Sequence, residues 1–230
     1  MTPRREPFLA WPGWDYLGYA LRLATALAVW WLIVYHGADY WTGLRAHRVR
    51  VHFDAELAIP FAPAFIIAYL SLNLVFVLAP FVLRRRRDLQ ALALAWASVT
   101  AVGGIGFLLV PAEPAYPSRD AGAWSGLFHV SRMMALRYNM VPSLHVALSS
   151  VCLAAYATRG GGVVKLFLGV WGAAIVLSTL VTHQHHMIDV VTGLVLAWAG
   201  KVFVYDRWRT RQSADGTAPA SPAVGPGPSA

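Results

Sequence analysis

The chain has 230 residues, of which 57% are hydrophobic and 13% charged, and its mean hydropathy is +0.51. That is more apolar surface than one small water-soluble core can hide, so an ordinary soluble domain is excluded. The formal net charge of +8 is sorted among separate loops, which argues against nucleic acid as a partner.

In chain order, apolar windows near 17–36, 58–83, 89–110, 142–158, 163–181 and 187–205 approach the roughly 20 residues that cross a hydrocarbon layer of about 30 Å. They predict an all-α integral membrane protein, a six-transmembrane-helix bundle over 17–205, with an N-terminal segment over 1–16 and a tail over 206–230. The opening "MTPRREPFLAWPGWDY" carries charge like the start of a secretory signal, but the following apolar run is long and no small-residue cleavage site closes it. It reads as a retained helix. After "YDRWRTR", the Pro-, Gly- and Ala-rich "QSADGTAPASPAVGPGPSA" has the composition of a disordered end. The single cysteine, Cys152, falls inside the fourth window and reads as a small buried hydrophobe.

With six spans, one side of the membrane holds 13 of the 19 Lys and Arg residues, including the run Arg84 to Arg87. The other holds Arg45, Arg48, Arg50, Arg119, Arg132 and Arg137. The positive-inside rule then makes both termini cytoplasmic and turns the loops at 37–57, 111–141 and 182–186 outward. The "RRRR" run is a topology anchor against anionic lipid. In the long outward loop, "VPAEPAYPSRD" has prolines spaced by three, which disfavour helix and give a stiff extended stretch. In "AWSGLFHVSRMMALRY", Trp124, Leu127, Phe128 and Met134 share one helical face, and Ser125, His129 and Arg132 the other. This predicts a helix between spans 3 and 4 that lies in the membrane interface, or else an ordinary loop helix packed on the bundle.

Two polar clusters interrupt the apolar sequence at the outward edge. In "THQHHMIDVV", His185 and Asp189 are four residues apart, so on a helix that begins the sixth span their side chains meet. A carboxylate on one ring nitrogen leaves the other free as a nucleophile or base, and Asp189 near apolar surroundings needs such a partner. In "NMVPSLHVALSS", Pro142 suits the first turn of a helix, which puts Ser143, Leu144 and His145 in the exposed N-terminal turn of the fourth span. Backbone donors there cradle a phosphate oxygen, Ser143 adds a hydroxyl, and His145 supplies a proton for a leaving oxygen. Together the clusters are suited to phosphoryl transfer. His183 and His186 flank the pair in a supporting or lipid-headgroup role, and Asn139 either caps the fourth span or binds substrate.

"PSLH" at 142–145 resembles the middle motif, usually Pro-Ser-Gly-His, of the type 2 phosphatidic acid phosphatase superfamily. Ser178, His185 and Asp189 match its third motif, Ser-Arg-x5-His-x3-Asp. The resemblance covers roughly residues 60–205 and implies a six-span enzyme of lipid metabolism with its site on the extracytoplasmic face. It implies that His185 attacks phosphorus to give a phosphohistidine, that Asp189 supports it, that His145 protonates the leaving group, and that no metal or cofactor takes part. Ser143, Leu144 and Ser178 then hold phosphate oxygens. Three features depart from the pattern: Thr179 stands where the third motif has arginine, Leu144 replaces glycine, and the first motif, Lys-x6-Arg-Pro, is incomplete. Arg119, with Arg137 behind it, is the expected substitute for the missing cationic clamp.

These departures and "HHMIDVVTG" look more like the inositol phosphorylceramide synthase and inositolphosphotransferase branch, whose members pass a lipid phospho-headgroup to an alcohol. A lipid phosphate or pyrophosphate phosphatase of the same superfamily is the alternative. Either way the expected partners are a phospholipid substrate and membrane lipids. Two other classes compete. His183, His185, His186 and Asp189 are ordinary zinc or copper ligands, but a metal site leaves "VPSLH" unexplained. An inactive scaffold accounts for the lost clamp, but leaves the intact His145, His185 and Asp189 unexplained.

Overall fold

The computed structural model describes residues 7–215, and every regular element among them is helical. The helices run α1 (Trp14–Gly43), α2 (Ile66–Leu70), α3 (Leu72–Val77), α4 (Ala79–Val82), α5 (Arg86–Leu109), α6 (Ser125–Met134), α7 (Leu144–Ala157), α8 (Gly162–Val181) and α9 (Met187–Ala199). A π-helical turn at Gly200–Asp206 then leads into α10 (Arg207–Asp215). Four of the described stretches, α1, α5, α8 and Met187–Arg211, are long and apolar enough to cross a membrane. Pro63–Val77 and Leu144–Ala157 are apolar but shorter. Ile33 on α1, Leu109 on α5, Val170 on α8 and Val195 on α9 are all exposed. Apolar surface spread over several helices fits lipid as the solvent.

The apolar run at 58–83 is a broken helical course rather than one rod, and its own side chains explain the breaks. Ser71 donates its hydroxyl to the Ala68 carbonyl at 2.6 Å and Asn73 donates its amide to the Leu70 carbonyl at 3.0 Å, so both compete with the backbone ladder. Pro80 has no N–H to give. Backbone dihedrals at Ser71 and Leu78 stay right-handed helical, so α2 to α4 wind on together. Trp171 donates its indole N–H to Ser71 Oγ at 2.8 Å and ties this course to α8.

α7 is short yet central, packed against α9, α5, α8 and α3, whereas α1 lies mainly along α5. Two glycines allow the close approaches. A Cβ at Gly103 of α5 would meet the Leu144 side chain at 2.6 Å, and one at Gly193 of α9 would meet the Ser143 carbonyl at 2.7 Å. Leu144 therefore fits because α5 leaves room for it, and α9 presses on the first turn of α7.

The helix expected in the long loop is α6. Phe128 is buried in a cluster with Ile66, Tyr69 and Ala121, so α6 packs on α2, while Val130 and Met133 are exposed. The prolines before it lie in irregular chain, as their spacing predicts. Helix α10 occupies 207–215, where the tail was expected to have begun. Residues 216–230 of that tail, and Arg4 and Arg5, lie outside the described residues.

Candidate active site

The start of α9 is built around two carboxylates. Asp189 sits in its first turn, and Oδ2 accepts the His186 N–H at 2.8 Å while lying 3.2 Å from His185 Nδ1. Glu56, from the stretch between α1 and α2, accepts the Met187 N–H at 2.7 Å and the Phe53 N–H at 2.6 Å. Both side chains are fully buried. Negative charge at a helix N-terminus is favourable because the first N–H groups have no partners within the helix. The loop from α8 is held from behind by Thr179, whose carbonyl accepts the N–H groups of Gln184 and His185, each at 3.0 Å.

Ser143 N–H donates to the Asp189 carbonyl at 2.9 Å, clipping α7 to α9. This brings His145 Nδ1 to 3.1 Å from His185 Nε2. On its far side, His145 Nε2 lies 3.0 Å from the Tyr69 hydroxyl of α2. Asp189 beside Nδ1 keeps a proton there and directs the lone pair of His185 to Nε2, toward His145. The result is a continuous Tyr69, His145, His185, Asp189 chain assembled from α2, α7, the loop after α8 and α9.

The neighbouring histidines have other partners. His183 takes a left-handed backbone, φ 58°, and donates its Nε2–H to the Ile59 carbonyl at 2.9 Å. His186 Nε2 accepts the Ala115 N–H at 3.1 Å, which leaves its proton on Nδ1, 3.7 Å from Glu56 Oε2. Burial pushes the His186 pKa below the ordinary histidine range, against the upward pull of Asp189 and Glu56. The Tyr116 ring stacks between His183, at 4.0 Å, and His186, at 4.6 Å, with His52 beyond at 5.2 Å from His186. This aromatic column joins the stretch after α1, the loop after α5 and the loop after α8. His183, His185 and His186 thus point to separate partners, and among the described residues no three metal-ligating side chains converge.

Several predicted site residues are placed differently from expectation. The first turn of α7 is buried, with Ser143 and Leu144 at 0% and 3% exposure, because α5 and α9 close over it. Ser143, not Pro142, begins the helix: its Oγ caps the turn by accepting the Val146 N–H at 3.3 Å. The Leu144 side chain is packed into α5 and offers a ligand only its backbone. Asn139 does not cap α7 but donates its amide to the Tyr35 carbonyl of α1 at 2.7 Å. Ser178 and Thr179 are buried and donate their hydroxyls one turn back, to Ile175 at 2.6 Å and Val176 at 2.8 Å. Arg137 is exposed and lies 3.4 Å from Glu113, and Arg119 is exposed on its loop. Neither arginine is hydrogen-bonded to the histidines.

Tyr69, Glu56 and Tyr116 escaped the sequence reading. A lone glutamate beside apolar sequence is a signal for Glu56, since a carboxylate there needs partners. Tyr69 gives no such signal, because a tyrosine in an apolar helix is ordinary and its partner is 76 residues away.

Apolar helices around a buried carboxylate and paired histidines fit a membrane enzyme that works through histidine chemistry. Residues 35–203 match the family model of the PAP2 superfamily, and the chain belongs to that superfamily of phosphatases and phosphotransferases. No curated protein and no solved structure matches it.

Proposed function

We propose that this enzyme transfers a phospho-headgroup from a lipid phosphodiester to an alcohol through a phosphohistidine on His185. The observation that carries the reading is the alignment of Asp189, His185 and His145, with contacts of 3.2 and 3.1 Å. Asp189 orients the His185 ring and stabilises its positive charge as Nε2 attacks phosphorus. His145 protonates the departing oxygen and then takes the proton of the incoming hydroxyl. Ser143 uses its oxygen as a cap, so its own proton is free to donate to a phosphoryl oxygen beside the first-turn N–H groups of Leu144 and His145. Ser178 has given its proton to Ile175, so phosphate contact from it is confined to a supporting role.

Pro63–Val82 and α7 supply the two spans that complete a set of six, and α6 lies at the outer interface with Val130 and Met133 toward lipid. Both termini are cytoplasmic and the histidines face outward. A cysteine-labelling experiment checks this: Arg119→Cys and Gln184→Cys react with an impermeant thiol reagent on intact cells, and Arg86→Cys does not. The reverse pattern moves the site to the cytoplasm.

The thin cationic clamp supports transfer over hydrolysis. Thr179, buried where the third motif has arginine, offers no charge, and Arg137 is engaged by Glu113. A phosphodiester carries one negative charge where a monoester carries nearly two, so it needs less cationic help. Radiolabelled phosphatidic acid and a radiolabelled phosphodiester lipid, each incubated with diacylglycerol, ceramide and inositol acceptors, distinguish the cases. The expected result is a new lipid product from the diester, faster than phosphate release from phosphatidic acid. Rapid phosphate release with no acceptor-dependent product overturns the transferase reading and leaves a lipid phosphate phosphatase.

A further inference from the structure

His145 has two ring nitrogens and the reaction uses one. Nδ1 faces His185 Nε2 at 3.1 Å, a direct contact that must open for the scissile phosphoester to enter between the rings, and Nε2 faces the Tyr69 hydroxyl at 3.0 Å. Tyr69 is held on every side. It is 3% exposed and packed with Ile66, Ala121 and Phe128, and two residues on, Ser71 is bonded to Trp171. Its hydroxyl therefore approaches the imidazole from a fixed direction. A hydroxyl can both accept and donate a hydrogen bond, so it suits a ring whose proton count changes during turnover.

We infer that Tyr69 is a positioning residue of the phosphoryl-transfer reaction, its hydroxyl oxygen accepting the Nε2–H of His145 so that only Nδ1 exchanges protons with substrate. The inference rests on the mechanism proposed above. In the first step, the His185 Nε2 lone pair forms the N–P bond and the P–O bond to the leaving group breaks. Once the anionic phosphodiester lies beside it and offsets the cost of burial, His145 takes a second proton from solvent and gives the Nδ1 proton to the departing oxygen. It is then the neutral Nε2–H tautomer, still donating to Tyr69, with its lone pair at Nδ1. In the second step, that lone pair takes the proton of the acceptor hydroxyl as the new O–P bond forms, the P–N bond breaks and its electrons return to His185. Without the Tyr69 oxygen, the Nε2–H is left unpaired beside buried apolar groups. The protonated ring loses support, and the neutral ring is free to adopt the tautomer with no base at Nδ1.

Leaving-group dependence separates this role from a packing role. Tyr69→Phe keeps the ring against Phe128 and removes only the oxygen. Turnover of a lipid phosphodiester, whose alkoxide must be protonated to leave, is expected to fall roughly 10- to 100-fold with KM little changed. A nitrophenyl phosphodiester departs without a proton, so its pre-steady-state nitrophenolate burst should stay within about threefold of the unmodified enzyme. An equal fall on both substrates, or an undiminished lipid rate, overturns the inference. Epistasis gives a second reading. His145→Ala should show the same leaving-group pattern more strongly, and adding Tyr69→Phe to it should cost no more than about twofold. A full additive loss in the double variant means that Tyr69 acts elsewhere. Failure of the underlying mechanism looks different, since His185→Ala would then keep its nitrophenolate burst.

Discussion

Asp88 and Asp189 occupy similar places at opposite ends of the bundle. Each lies in the first turn of a helix, α5 or α9, and each is almost completely buried, at 1% and 0% exposure. Their partners differ. Asp88 accepts from Arg209 Nε at 2.8 Å, with Arg87 Nε at 3.9 Å, so it faces guanidinium groups that stay charged at any ordinary pH. Asp189 faces the imidazole of His185 and a backbone N–H. A carboxylate paired with arginine is a fixed charge pair that joins α5 to α10. One paired with histidine sits beside a ring that gains and loses positive charge, and can stabilise that change during a reaction. Burial and helix position are the same at both ends, so the chemistry of the partner is what separates them, and under the proposed mechanism it makes Asp88 structural and Asp189 a support for catalysis.

Mutations at the two ends test this contrast. His185→Ala is expected to have the largest effect, a fall in turnover of about 10⁴-fold or more with loss of any trapped phosphoenzyme. The thermal midpoint in detergent should also fall, because the buried Asp189 loses its side-chain partner, so turnover is read per folded molecule. Substantial turnover in that variant would remove the histidine chain from the mechanism. Asp189→Asn keeps the shape and an acceptor for the His186 N–H but loses the charge, and should lower turnover roughly 10²- to 10³-fold, read in the same assay. A loss under about threefold would put Asp189 in the same class as Asp88.

Ser143→Ala removes the proposed phosphate donor and the cap on α7 together. Turnover should fall about tenfold and stability by about 1 kcal/mol, measured by lipid product formation and by unfolding in detergent. Asp88→Asn, the direct counterpart at the other end, should cost roughly 1–3 kcal/mol of stability. Turnover per folded molecule should stay within about twofold. Strong loss of turnover with an intact fold would mean that the end of the bundle around Asp88 also shapes the site. Ser178→Ala is the mildest: its hydroxyl serves only Ile175, so turnover should stay within about threefold.

The contact between His185 and Asp189 was legible in sequence because the two residues are close along the chain. His185 and Asp189 do meet, at 3.2 Å, but His185 stands two residues before α9 rather than on it, so the turn into the helix and not helical spacing brings the pair together. The helical, apolar character of the chain was equally legible, since window length and hydropathy depend on nothing distant. Where the reading went astray, a distant neighbour decided. The first turn of α7 was expected to be exposed, but Gly103 and Gly193 let α5 and α9 close over it. Asn139 was one candidate to cap α7, but Ser143 takes that place and the Tyr35 carbonyl of α1 holds the Asn139 amide.

The sequence by itself therefore determined the helices, the His185 and Asp189 pair and, through the family motifs, the reaction class. Each of these depends on residues within a turn or two of one another, or on composition over a single window. Only the tertiary structure decided that His145 meets His185 across 40 residues, that Tyr69 backs His145 across 76, and that Glu56 caps α9 across 131. Those contacts come from how helices and loops pack, which no local period encodes. A buried polar group takes whichever partner that packing brings within about 3 Å.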